Sequence, residues 1–141
     1  MVKKDVIYAK MESLRHCLNR INEKTPDSAF ELLEDYDLQD IISVNLERAV
    51  QSSVDIAAHI ISYSDKPAPD SMGQTFRTLQ DLGVVDPKVS EKLVASVGFR
   101  NIAVHSYKDI DWDIVYSIIT KEIGVFKEFT RQVLEFVDSK P

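Results

Sequence analysis

Residues Asp37 to Tyr63 read DLQDIISVNLERAVQSSVDIAAHIISY. Ile42, Leu46, Ala49, Ile56 and Ile60 recur at steps of three, four and seven, which is the period of one face of an α-helix. A strand would alternate apolar and polar residues at every second position, and this stretch does not. A helix this long with one apolar stripe needs further helices to cover it, so the stretch predicts a helical bundle. A second, polar stripe runs through Asn45, Arg48, Ser52, Asp55 and His59 at three- and four-residue steps.

The flanking segments agree. Ile7, Met11, Leu14, Leu18 and Ile21 give a first helix that ends before Pro26, and a short helical piece is expected over Ser28 to Leu33. After the long helix, SDKPAPDS with its two prolines reads as a loop, and a shorter amphipathic helix runs through Phe76 and Leu79 until Gly83 stops it. Asp86 followed by Pro87 reads as an N-cap and first helical position, opening a helix through Leu93 and Val97. KDID forms the next turn, with Asp111 capping one final helix that carries Trp112, Val115, Ile119, Ile123, Phe126, Phe129, Val133 and Phe136 at core spacing. The expected fold is all-α: an up-and-down four-helix bundle with one or two extra short helices, residues 1–141 forming a single domain.

Composition narrows the function classes. The chain has 141 residues, 44% of them hydrophobic, enough for one core. The N-terminal MVKKDVIYAKMESL lacks the apolar segment of a secretory signal, and nothing approaches the roughly 20 apolar residues of a membrane span. The expected location is therefore the cytoplasm. Cys17 is the only cysteine, which excludes an internal disulfide and a thiolate zinc site within one chain. A net charge of -6 argues against coating nucleic acid by bulk electrostatics, but leaves room for a small basic cleft. The acidic run Asp27, Glu31, Glu34, Asp35, Asp37 and Asp40 reads as a solvated face.

Chemistry concentrates in FRNIAVHSY, Phe99 to Tyr107. On a helix Asn101 and His105 share a face, which Gly98 and Val94 continue, while Arg100 lies one residue round. A glycine within a helix costs about 1 kcal/mol against alanine, and close approach by another helix or a ligand would offset that. Tyr107 falls near the helix end, where its hydroxyl can emerge beside the histidine. Imidazole titrates near neutrality and moves protons; guanidinium grips phosphate and stabilises the charge that develops in phosphoryl transfer. The two suit metal-free RNA cleavage, in which the ribose 2′-hydroxyl attacks the adjacent phosphate. The bland alternative is a helix C-terminus whose Arg and His satisfy carbonyls while Tyr packs on the next helix.

RNIAVHSY resembles the Arg, four-to-six residues, His signature of HEPN domains, and its Arg-Asn start and terminal Tyr are similar to the HepT toxin subgroup. DIAAHIIS, FRTLQDLGVVDPKVSEKLVASVGFRN and YKDIDWDIVYSII look HepT-like as well, so the likeness runs from about Asp5 to Val137. The resemblance implies a homodimer whose motif helices build a shared cleft. It implies a type VII toxin–antitoxin pair, in which an RNase toxin is neutralised by AMP transfer from an MntA-like nucleotidyltransferase antitoxin. Arg100 and His105 would then be the nuclease pair, Asn101 their polar companion and Tyr107 the modified residue. No metal and no cofactor is implied.

Asp55 and His59 are candidates to orient Arg100 or His105 by hydrogen bonds, if the polar stripe of the long helix faces the motif. Two other readings compete with the nuclease. One is a non-catalytic homodimer that binds nucleotide, RNA or a partner, which the acidic charge favours. The other is a structural dimer in which Arg100 pairs across the interface.

Overall fold

The computed structural model describes residues 2–139. Among them seven α-helices follow one another: α1 Lys4–Lys24, α2 Ala29–Glu34, α3 Tyr36–Ile61, α4 Met72–Asp81, α5 Pro87–His105, α6 Trp112–Ser117 and α7 Gly124–Asp138. A 3-10 turn, Tyr107–Asp109, joins α5 to α6, and a π-helical turn, Ile118–Glu122, joins α6 to α7. No strand occurs among the described residues.

The helices start where short polar side chains accept otherwise unpaired N–H groups. Ser28 accepts from Glu31 at the head of α2, Asp35 from Leu38 at α3, Ser71 from Gln74 at α4 and Asp86 from Val89 at α5. Pro87 takes the first position of α5, where a missing N–H is harmless. Gly83 ends α4 at φ 77, a conformation that L side chains rarely adopt, and Val84 then donates to the Leu79 carbonyl at 3.0 Å.

Long α3 is the spine. α1 packs along it, burying Ile7, Met11, Leu14, Cys17, Leu18 and Ile21 against Ile42, Leu46, Ala49, Ile56 and Ile60. α4 and α5 lie against one another and against α3, and α7 closes the core with Phe126, Phe129 and Val133. Phe76 and Phe129 meet edge to face with centroids 6.1 Å apart, a favoured aromatic geometry. Every residue whose spacing predicted an inward face on α1 and α3 is buried.

The final helix differs from expectation. One continuous element was predicted from Asp111; the chain instead forms α6, a π-turn and α7. Within the break, the Thr120 hydroxyl donates to the Tyr116 carbonyl at 2.6 Å, competing with the regular backbone ladder in a β-branched run. The π-turn keeps Ile119 and Phe126 both in the core. Asp111 does cap α6, as predicted, accepting from Asp113 and Ile114. Phe136 and Trp112 are only partly buried.

Candidate active site

The motif occupies the last turns of α5 and the residues just beyond it. Arg100 is half-buried and turned toward α3, where its Nη2 donates to Gln51 Oε1 at a long 3.5 Å. Gln51 is itself fixed: its Nε2 donates to Asp55 Oδ1 at 2.9 Å, and Lys10 of α1 lies 3.4 Å from Asp55 Oδ2. Asp55 thus reaches Arg100 through Gln51 rather than directly. The Arg100 Nε is buried with no acceptor among the described residues, an arrangement that costs about 1–3 kcal/mol when left unmet.

His105 is the last residue of α5 and is exposed, as is Asn101 four residues earlier on the same face. His105 lies five positions beyond Arg100, so at 100° per residue their side chains leave the helix about 140° apart. Within this chain the guanidinium faces α3 while the imidazole faces outward. Gly98 is exposed too, and a Cβ built there meets nothing within 4 Å, so among the described residues no element makes the close approach that a helical glycine permits. Ile102 and Val104 leave 43% and 42% of their surface open.

Ser106, at φ -147 and ψ 51, breaks the helix and swings Tyr107 away from His105 toward α3. The phenol hydroxyl donates to Asp40 Oδ1 at 2.7 Å, and the ring stands edge-on to Trp112 with centroids 5.9 Å apart. Burial raises the phenol's pKa above its ordinary 10.0; the hydrogen bond to Asp40 and that carboxylate's charge add to the rise, while the Ser43 hydroxyl works against it. The ring remains 41% exposed.

His59 stands apart from this group. Its ring meets Tyr63 edge to face at 5.2 Å, and its Nε2 is buried with no partner among the described residues. The predicted polar stripe is only partly wet, since Asn45 is buried and donates to the Ile41 carbonyl of its own helix. The side chains that meet the motif, Asp40 and Gln51, lie one step round α3 from that stripe, and Asp55 on the stripe's edge joins them through Gln51. Asp40 and Gln51 are eleven residues apart, about 20° from alignment on an α-helix, so periodicity could have grouped them. Only the fold shows that this stripe faces α5. An open depression between α2 and the start of α3, lined by Phe30, Glu31, Glu34, Asp35 and Tyr36, is acidic and ill-suited to a phosphate backbone.

The model of the ribonuclease HepT-like family matches residues 14–133. The chain is 31% identical over 125 residues to the mRNA nuclease HepT of Shewanella oneidensis, covering 89% of this chain and 93% of that protein. It is 24% identical over 132 residues to the tRNA nuclease HepT of Aphanizomenon flos-aquae, covering 94% and 90%. Among solved structures, the tri-AMPylated Shewanella oneidensis HEPN toxin in complex with MNT antitoxin superposes with a TM-score of 0.87 at 30% identity, over 93% of this chain and 98% of that one. A cytosolic Bacillus subtilis protein of unknown function matches at TM-score 0.84 and 15% identity, over 98% and 92%, which speaks for the fold alone. With an open-ended motif helix, an α-helical bundle of the same topology and a family model matched along most of its length, this chain belongs to the ribonuclease HepT-like family.

Proposed function

We propose that this chain is the toxin of a HepT/MntA-type pair: a metal-independent endoribonuclease, active as a homodimer and silenced by AMP transfer to Tyr107. The observation that carries the reading is the full Arg100, four residues, His105, one residue, Tyr107 pattern at the open end of α5, in a chain 31% identical to a relative named as an mRNA nuclease. The solved relative that is AMPylated and bound to MNT antitoxin supports the regulatory half.

In this mechanism Arg100 grips the scissile phosphate with the guanidinium N–H groups that its Gln51 contact leaves unused. His105 takes the 2′-hydroxyl proton or supplies one to the leaving 5′-oxygen, giving a 2′,3′-cyclic phosphate and a 5′-hydroxyl. Asn101 lends an amide beside the imidazole, and the Gln51–Asp55–Lys10 chain holds the guanidinium. Because Arg100 and His105 diverge on a single helix, a working cleft draws on a second copy of α5. The exposed Gly98, Ile102 and Val104 suit that contact. An AMP group on Tyr107 adds phosphate charge and bulk where RNA phosphate must enter.

The decisive experiment incubates purified, unmodified protein with RNA in the presence of EDTA. Cleavage with cyclic-phosphate ends, lost in His105→Ala by about 10²–10⁴-fold, is expected. Cleavage that EDTA abolishes, or an equally active His105→Ala, refutes the mechanism. A domain that binds RNA without cutting it would instead match the non-catalytic alternative.

A further inference from the structure

Resting on the reading of Tyr107 as an AMP acceptor, we propose that Asp40 is the proton acceptor for that transfer, holding the phenol hydroxyl and removing its proton as the oxygen attacks. Three observations lead here. The Tyr107 hydroxyl donates to Asp40 Oδ1 at 2.7 Å, within the range of a direct hydrogen bond to a carboxylate, across 67 positions of sequence. The ring is steadied by Trp112 at 5.9 Å, so the hydroxyl stays on the carboxylate while the ring remains 41% exposed to an incoming enzyme. Asp40 is exposed and forms no ion pair among the described residues, and the sequence from Thr25 to Glu47 contains no Lys or Arg to neutralise it.

The chemistry requires such a group. A phenol with an ordinary pKa near 10 is ionised in about one molecule in a thousand at pH 7, and Tyr107 lies above that value. The neighbouring carboxylate that disfavours a standing phenolate is also the nearest base when the phenol becomes a nucleophile. In the step, the bond from Tyr107 Oη to the α-phosphorus of ATP forms and the bond from that phosphorus to the bridging oxygen breaks. Pyrophosphate leaves, and the hydroxyl proton passes to Asp40 and then to solvent. Asp40 begins as an anion and becomes neutral as the charged phosphate arrives, so its repulsion of the nucleotide falls in the transition state, where relief counts.

The test presents wild-type, Asp40→Asn, Asp40→Glu and Tyr107→Phe toxins to the cognate MntA-like nucleotidyltransferase with ATP, reading AMP additions by intact mass and the modified residue by peptide mapping. Wild type is expected to gain AMP on Tyr107. Asp40→Asn should gain its first AMP about 10²-fold or more slowly, with a rate climbing about tenfold per pH unit from pH 6 to 9, while wild type stays flat across the upper part of that range. Asp40→Glu should recover part of the rate, and unchanged melting temperatures exclude misfolding. Wild-type speed in Asp40→Asn overturns the inference while leaving Tyr107 as the target. A slowed variant that keeps the wild-type pH profile also overturns it, making Asp40 a positioning contact only. AMP on Tyr107→Phe at the wild-type level, or none on wild type, brings down the underlying reading and this inference with it.

Discussion

The two halves of α5 have the same backbone and opposite surroundings. From Pro87 to Val97 the helix buries Val89, Ser90, Leu93 and Val97, and its N-terminus is clamped where Asp86 and Gln132 of α7 exchange two hydrogen bonds at 2.8 and 2.9 Å. From Gly98 to His105 only Ala103 is buried, and Asn101, Ile102, Val104 and His105 face outward. The first half anchors the helix to the core. The second carries Asn101 and His105 of the motif into the open, where the proposed substrate and partners would meet them. The lesson is a division of labour within one element: the rigid half fixes where the reactive half points.

Substitutions on either side can break or sharpen that contrast. The largest effect is expected for His105→Ala, which should remove RNA cleavage as described above yet leave the melting temperature within a degree or two, since an exposed terminal side chain supports no packing. Leu93→Ala, by contrast, deletes a fully buried side chain and should cost about 2–5 kcal/mol in denaturant unfolding. Were His105→Ala to destabilise as much as Leu93→Ala, the division would be wrong.

Gly98→Ala probes the open half more finely. With nothing within 4 Å of the added methyl in its own chain, the protomer should gain up to about 1 kcal/mol of helix stability. The proposed dimer should weaken roughly tenfold in sedimentation equilibrium, because the methyl enters the approach between two α5 helices. An unchanged dimer would move the contact elsewhere.

The smallest effect belongs to the anchored end. The backbone N–H of Val89, followed by Gln132, holds the Asp86 carboxyl below the usual carboxylate range. A depressed pKa contributes stability that is fully present above the ordinary value near 4 and is lost as pH falls through the lower, folded-state value. Asp86→Ala should therefore cost about 1 kcal/mol at pH 7 through loss of the cap, and the gap to wild type should narrow as pH falls below the ordinary carboxylate range. A gap that does not narrow at all on acidification would assign the loss to packing rather than to the ionised cap.

Much of this molecule was legible in one dimension because its signals are local. The caps at Asp86 and Asp111 act within three residues, the apolar faces of α1 and α3 follow a fixed period, and Gly83 marks a turn that only its own φ requires. The motif too is a matter of spacing along one helix. What the sequence hid were pairings across distance. Gln51 meets Arg100 across 49 positions and Asp40 meets Tyr107 across 67, and which stripe of α3 faces α5 depends on how the helices pack. The π-turn between α6 and α7 was equally invisible, since the same apolar spacing fits an unbroken helix.

Sequence by itself determined that this protein is a helical bundle carrying an Arg, His and Tyr at fixed steps, because period and capping are set within a few residues of backbone. Tertiary structure decided that the guanidinium turns inward to Gln51, the imidazole outward and the phenol onto Asp40, because side-chain partners distant in sequence are chosen only when packed helices bring them within hydrogen-bond reach.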